Sequence, residues 1–174
     1  MSPGVGVIRK MVDAFIRLDT ENGSPVISQY TPNYRMECIL AMDEFPQGVE
    51  ENAFISAIQG TNLNNDKTAV RRIHGYTIVD SIKAILSLSS QDYLKIYGWS
   101  IERALIFTNV HYGRSPMVAI RAHPLTPAMV VYQHPEQTDP LAIKLARLEG
   151  IPLVVSDMTV EQMVVALTAL KEKE

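Results

Sequence analysis

Apolar residues recur at helical spacing over the first part of the chain, with charged residues between them. Ser2 is a suitable cap, and Pro3 stands at a first helical position, where a missing N–H costs little. The spacing therefore predicts one amphipathic helix that ends near Gly23, and its apolar stripe consists of Ile8, Met11, Val12, Phe15 and Ile16.

This apolar stripe has two interpretations. In the first, the helix packs on its own domain. In the second, it pairs with a second copy of the chain in a homodimer, through Ile8, Met11, Val12 and Phe15. Prolines over residues 24–35 predict an irregular joint after the helix. We therefore divide the chain into a connector segment, residues 1–30, and an α/β domain, residues 31–174.

Short apolar runs alternate with polar stretches over residues 38–98. The pattern predicts, in order, a strand over residues 38–45, a short helix opened by Glu50 and Glu51, a polar loop over residues 60–70, a strand over residues 73–79, and two helices that begin at Asp80 or Ser81 and at Ser89. In the first of these two helices, Ile82, Ile85 and Leu86 are expected to face inward.

The last third of the chain has the clearest pattern. Apolar runs predict strands over residues 104–108, 117–120, 128–132 and 151–155. Asp139 and Pro140 open a helix that ends at Gly150, and Thr159 with Gln162 forms a capping box for a closing helix. The strand–helix–strand order over residues 128–155 predicts parallel strands with a right-handed crossover. The predicted fold class is α/β, with a mixed sheet and a C-terminal parallel βαβα unit that follow the N-terminal amphipathic helix.

Composition and charge exclude several classes of protein. Of the 174 residues, 47% are hydrophobic and 20% are charged, and the formal net charge is −3. A domain that grips DNA usually carries an excess of Lys and Arg on one face, so any DNA contact is expected outside this segment. No apolar run approaches the roughly 18 residues of a membrane span, and no signal peptide is recognisable. We therefore expect a cytoplasmic protein without membrane contact.

Familiar catalytic and cofactor motifs are absent from the sequence, including the phosphate loop, the dinucleotide fingerprint, G-x-S-x-G and H-E-x-x-H. The four histidines never stand two to four residues apart, and Cys38, the single cysteine, is interpreted as a buried structural thiol. We expect no metal, no cofactor and no enzymatic activity. An enzyme remains a third hypothesis, which needs a convergent set of side chains in one cleft, such as His111, Ser115, His134 and Asp139.

Polar residues that follow predicted strands form the candidate small-molecule site. The segment HYGRSP, residues 111–116, offers a glycine for close backbone approach, a guanidinium fork and a hydroxyl, which together suit a phosphate or carboxylate. Other candidates lie at strand ends and helix starts, where α/β folds place ligands. Turn and cap chemistry without any ligand is the alternative interpretation. The candidates are Tyr76, Asp80, Ser81, Thr108, Gly113, Arg114, Ser115, His134 and Asp139.

Three long strings carry a resemblance to a known family: GYTIVDSIKAILSLSSQDYLKIYG, ERALIFTNVHYGRSPMVAIR and DPLAIKLARLEGIPLVVS. They resemble the C-terminal region of predicted archaeal transcriptional regulators that begin with a Cro-type helix-turn-helix. Residues 2–4 and the string RKMVDAFIRLD resemble the part just beyond that DNA-binding domain, so the helix-turn-helix itself is missing from this sequence. The resemblance implies a regulatory and dimerisation domain that contacts DNA only through the absent helix-turn-helix. A domain that senses a nucleotide or an anionic metabolite is the alternative.

Overall fold

The computed structural model describes residues 15–21, 24–30, 36–64, 71–89, 92–98 and 100–173. The chain divides into two units, Met1–Arg35 and Met36–Glu174. In the first unit, strands β1 (Phe15–Glu21) and β2 (Ser24–Tyr30) pair antiparallel, and Glu21 lies opposite Ser24.

The prediction of an N-terminal helix is therefore wrong over residues 15–21, and the prediction of an irregular joint is wrong over residues 24–30. An Asn-Gly pair, residues 22 and 23, separates the two strands, and this pair is the strongest short hairpin signal in a sequence. The segment FIRLDTE also alternates between apolar and polar residues, which suits a strand as well as a helix. Of the proposed pairing residues, Phe15 begins β1, whereas Ile8, Met11 and Val12 lie outside the described residues.

The second unit contains a six-stranded sheet with helices on both faces. Its elements, in chain order, are β3 (Ile39–Glu50), α1 (Glu51–Ala57), β4 (Thr61–Asn62), β5 (Arg72–Asp80), α2 (Ser81–Ser87), a 3-10 helix (Asp92–Tyr97), β6 (Ala104–Thr108), α3 (Arg114–Arg121), β7 (Met129–Gln133), α4 (Pro140–Leu148), β8 (Leu153–Ser156) and α5 (Val160–Lys171).

The strand order is β3-β5-β6-β7-β8-β4. Strands β5 to β8 are parallel, whereas β3 and β4 pair antiparallel at the two edges. This topology confirms the predicted α/β class, the mixed sheet and the C-terminal parallel unit. The short strand β4 falls within the predicted loop over residues 60–70, of which residues 65–70 lie outside the described part of the chain.

Two apolar layers cover the central strands, because successive side chains of a strand point to opposite faces. On β6, Leu105 and Phe107 belong to one layer, together with residues of α3, α4 and the 3-10 helix. Ala104 and Ile106 belong to the other layer, together with residues of α1 and α5. Because β5, β6 and β7 are parallel, their carboxyl ends lie at the same edge of the sheet.

The strand predicted over residues 117–120 is wrong, because these residues belong to helix α3. Met117 and Ile120, which are three positions apart, are buried, whereas Val118 between them is exposed. A four-residue apolar run does not distinguish a strand from a helix by its spacing. Gly113 marks the start of the helix in the sequence. Its φ of +74° favours glycine, and the residue immediately precedes α3.

The predicted inward face of α2 is also wrong. Ile82, Ile85 and Leu86 are 48%, 67% and 81% exposed, whereas Ser81 is buried and Ala84 packs against the core. The rotation of this seven-residue helix is set at its start, where the Asp80 carboxylate accepts hydrogen bonds from the backbone N–H groups of residues 82 and 83. Within the described residues, no helix is long and apolar enough to cross a membrane.

Candidate ligand-binding cleft

A cleft of about 460 Å³ opens at the carboxyl ends of β5, β6 and β7. This is the edge of a parallel sheet at which α/β proteins commonly bind small molecules. The cleft is lined by Ser81, Ile82, Ile85, Asn109, Val110, His111, Tyr112, Gly113, Arg114, Ser115, Pro116, Gln137, Asp139 and Pro140.

Asp80 joins the ends of the first two strands. Its Oδ1 caps α2, at 3.1 Å from the backbone nitrogens of Ile82 and Lys83. Its Oδ2 accepts a hydrogen bond from the Asn109 side-chain amide at 3.1 Å. Asn109 has a φ of +54°, a conformation that Asn tolerates better than most residues. The loop that follows β6 is thus fixed to the start of α2.

Gly113 and Tyr132 hold the other side of the loop. The Tyr132 hydroxyl donates a buried hydrogen bond of 2.5 Å to the Gly113 carbonyl oxygen. A Cβ atom on Gly113 would lie 2.2 Å from the Tyr132 ring, so only glycine fits this close approach. Burial raises the pKa of the Tyr132 phenol, which therefore stays protonated as the donor. Helix α3 begins at the next residue, Arg114, and no side chain caps its first turn.

An ion pair between Arg114 and Asp139 crosses the mouth of the cleft. Asp139 Oδ2 lies 2.6 Å from Arg114 Nε and 2.5 Å from Nη2. Asp139 Oδ1 also caps α4 by accepting a hydrogen bond of 2.7 Å from the Leu141 backbone nitrogen. Two backbone hydrogen bonds, from Gln137 to His111 and from Asp139 to Tyr112, tie the loops after β6 and β7 together. The two loops therefore form one wall of the cleft.

The ion pair predicts a specific pH dependence of stability. Hydrogen bonding to Arg114 and then to the Leu141 backbone lowers the pKa of Asp139. A lowered folded-state pKa stabilises the protein above the unfolded-state pKa of about 3.9, and this stabilisation is lost as the pH falls through the folded-state pKa.

Asp139→Asn removes the titrating group and keeps a residue that caps helices well. We expect the variant to lose stability relative to the parent above about pH 4 and to converge with it in stronger acid. Urea unfolding midpoints of both proteins across this range provide the test. Parallel pH profiles of the two proteins would show that the ionised Asp139 carboxylate does not stabilise the fold.

Two buried hydroxyls near the cleft have no hydrogen-bond partner among the described residues. Ser81 is 7% exposed and Thr108 is 4% exposed, and neither Ser81 Oγ nor Thr108 Oγ1 is hydrogen-bonded. The two residues are near each other in the fold. Thr108 pairs in register with Asp80 at the ends of β6 and β5, and Ser81 directly follows Asp80. Ser81 lines the cleft directly.

The structure brings five of the nine candidate residues together in this cleft. These five line it: Ser81, Gly113, Arg114, Ser115 and Asp139. Asp80 and Thr108 lie at the strand ends beside the cleft. Tyr76 is buried in the apolar layer on the opposite side of the sheet, and His134 is exposed and pairs with Asp157 at 3.1 Å beyond the end of β8. The latter two residues do not line the cleft.

The four side chains of the enzyme hypothesis do not converge. His111, Ser115 and Asp139 line the cleft, but His134 does not. The His111 ring contacts Glu136 at 3.0 Å, and within the described residues no histidine is hydrogen-bonded to Ser115.

Sequence reasoning missed several residues of the cleft, notably Asn109, Gln137 and Ile85. Asn109 directly follows an apolar strand, and Asn is enriched at such left-handed positions, so this signal was present in the sequence. Ile85 was assigned to the core, and only the rotation of α2 shows otherwise.

Metal and thiol chemistry receive no support from the described residues. Over this part of the chain, no group of three or more His, Cys, Asp or Glu side chains is arranged to hold a metal ion. Cys38 is fully buried, and burial raises the pKa of its thiol. The predicted burial of this cysteine is thus confirmed, and such burial is typical of structural thiols.

Comparison with known proteins finds two similar archaeal sequences. A protein of Methanocaldococcus jannaschii is 39% identical in an alignment of 176 positions that covers 98% of this chain and 73% of the relative. A protein of Archaeoglobus fulgidus is 42% identical over 168 residues, which cover 93% of this chain and 71% of the relative. Each relative is described as an uncharacterised HTH-type transcriptional regulator. No family model and no solved structure matches the chain.

Proposed function

This chain belongs to a family of archaeal HTH-type transcriptional regulators, and from that premise we propose that residues 36–174 form the regulatory domain of such a regulator and do not themselves read DNA. The helix-turn-helix that contacts DNA lies, in this proposal, outside the α/β unit. The unit controls the DNA-binding part by pairing subunits or by sensing a signal.

The pairing of cationic side chains carries this proposal. Many Lys and Arg side chains of the α/β unit lie against a carboxylate: Lys95 with Asp92, Arg103 with Glu44, Arg114 with Asp139, Arg121 with Glu149, and Lys171 with Asp43. Arg71 and Arg72 donate hydrogen bonds to backbone carbonyls. A surface that holds duplex DNA needs clustered cations whose charge is available to phosphates. Cations that already lie against carboxylates, or that donate to backbone carbonyls of the domain, are less available to phosphates.

The Archaeoglobus fulgidus relative allows this proposal to be tested. Its whole chain and the portion that matches this protein are compared for binding to the region upstream of its gene. We expect the whole regulator to bind specifically and the matched portion to show no specific binding, with both folded by circular dichroism. Equal specific affinity of the two would contradict the proposal.

An effector-sensing role is the second candidate, and the cleft at the strand ends favours it. The cleft joins polar groups from three consecutive strand–helix connections, so a ligand bound there contacts α2, α3 and α4 at once. A ligand that binds only the native state raises its stability and links these helices.

Homodimer formation is a further part of the proposed function. Helix-turn-helix proteins commonly bind two half-sites about one DNA turn apart, which requires two subunits. We therefore expect the 19.4 kDa chain to sediment as a dimer, with residues 1–30 as the proposed pairing segment. Sedimentation velocity over a range of concentrations measures this, and a monomer at the highest concentration would argue against pairing by this chain.

A further inference from the structure

We infer that the cleft holds an anionic head group at the first turn of α3 and places an attached apolar or aromatic body in a neighbouring slot between α2 and α3. This inference rests on the proposed effector-sensing role of the cleft. It names the chemical class of ligand: a small phosphate or carboxylate compound with a compact apolar part.

The first turn of α3 provides the anion-binding groups. The helix has eight residues, Arg114–Arg121, with Gly113 as its cap residue, and neither a side-chain cap nor an acidic residue occupies its first turn. The first N–H groups of a helix have no partner within it, and they lie at the positive end of the helix dipole. Pro116 has no N–H, so the donors at this end are the backbone nitrogens of Arg114 and Ser115. Gly113 brings this backbone into the cleft wall.

Ser81 supplies a second observation that points to a ligand. The residue is 7% exposed, its Oγ has no hydrogen-bond partner in the described part of the chain, and it lines the same cleft as Arg114 and Ser115. A buried hydroxyl without a partner is unfavourable, and most buried polar atoms in folded proteins are hydrogen-bonded. An anion oxygen in the cleft gives this hydroxyl an acceptor.

The acidic groups at the cleft are already engaged, so they do not exclude an anion. Asp139 accepts hydrogen bonds from Arg114 and from the Leu141 backbone. Asp80 accepts two backbone hydrogen bonds at the start of α2 and a third from Asn109. Arg114 uses Nε and Nη2 for Asp139, so its Nη1 remains for a second acceptor.

An apolar slot of about 170 Å³ adjoins the cleft and receives the body of the ligand. The two spaces adjoin, because both are lined by Ser81, Ile85, Ser115 and Pro116. The slot is otherwise apolar or aromatic, with walls that include Leu88, Tyr93, Phe107 and Ala119. Apolar cavities of roughly 150 Å³ accept a benzene-sized ring. Ser81 therefore stands where an anionic head group and an attached ring meet.

Titration of the whole 15N-labelled chain with four probes tests this inference: phenyl phosphate, benzoate, inorganic phosphate and phenol. We expect saturable NMR shifts of the Ser81, Arg114 and Ser115 amides with phenyl phosphate or benzoate. The Kd is expected to be at least about tenfold lower than the Kd of inorganic phosphate or phenol. The tighter of the two anionic ring compounds identifies the head group as phosphate or carboxylate. The inference is overturned if neither shifts these amides saturably up to about 10 mM, tenfold above a typical fragment Kd, or if inorganic phosphate binds equally well.

Variants separate a ligand role for Ser81 from a structural one. Because its hydroxyl has no partner among the described residues, Ser81→Ala is expected to keep or raise the thermal midpoint and to weaken binding of the anionic ring compound about tenfold. Ser87→Ala is the matched control, since Ser87 lies on the same helix, does not line the cleft, and has an exposed hydroxyl that donates to the Lys83 carbonyl. A Ser81→Ala protein that loses stability but keeps its affinity would overturn the assignment. Failure of all probes overturns the ligand class alone, because the regulatory role is tested separately by duplex binding.

Discussion

Replacing Arg103 with alanine is expected to destabilise the protein by about 3–5 kcal/mol, because the variant removes a fully buried guanidinium together with its hydrogen bonds. Arg103 is fully buried. Its guanidinium pairs with Glu44 and donates to Thr77 Oγ1 at 2.9 Å and to the Ser100 carbonyl at 3.1 Å. The variant leaves these acceptors unsatisfied and opens a cavity between β3, β5 and β6.

Urea unfolding measures the loss, and Arg121→Ala is the matched control. Arg121 also pairs with a carboxylate, Glu149 at 2.9 Å, but its side chain is 48% exposed. Exposed pairs contribute roughly 0–1 kcal/mol, so the control is expected to stay close to the parent. Equal effects of the two substitutions would show that the buried guanidinium does not organise the sheet.

Replacing Gly113 with alanine is expected to cost about 2–4 kcal/mol. The left-handed backbone at φ +74° penalises any side chain, and the new Cβ would lie 2.2 Å from the Tyr132 ring. Either the ring or the first turn of α3 must move, so the cleft is expected to lose its shape together with the stability. Chemical denaturation measures the first effect and NMR shifts of the Arg114 and Ser115 amides the second.

Gly150→Ala separates backbone strain from the steric clash. Gly150 has a similar φ of +62°, but its nearest neighbouring atom, on Arg71, is 3.8 Å from the added Cβ. This variant is expected to cost only about 1–2 kcal/mol, from the left-handed backbone alone. If Gly113→Ala cost no more than Gly150→Ala, the close contact with Tyr132 would be refuted.

Local signals in the sequence were sufficient for most of the α/β unit. The Thr159–Gln162 capping box and the Asp139 cap form as predicted, because each depends only on residues two or three positions apart. The parallel order of β7 and β8 is also confirmed, since a helix connects them. Membership in the regulator family, inferred from three sequence strings, is confirmed by both relatives.

The errors have a common physical cause, which is that short apolar segments fit more than one structure. Residues 117–120 fit a strand or a helix, and residues 15–21 fit either as well. The exposed side of α2 depends on the Asp80 cap rather than on hydrophobicity. The pair between Arg103 and Glu44 joins residues 59 positions apart, and no local pattern indicates it.

The candidate cleft was predictable only in part. Gly113, Ser115 and Asp139 were found because glycines and caps cluster after strands, and the sheet then brings these ends together. The unpartnered hydroxyl of Ser81 was not predictable, because the burial and hydrogen bonding of one side chain depend on tertiary packing and not on the neighbouring sequence.

The most direct test of the proposed division of labour is the affinity of the 174-residue chain for a duplex from the region upstream of its own gene. Fluorescence anisotropy at salt concentrations from about 50 to about 200 mM gives both the affinity and its salt dependence. Because the Lys and Arg side chains are proposed to be engaged within the domain, we expect weak binding that is the same for a scrambled duplex. Tight, sequence-specific binding that falls steeply with salt would contradict it.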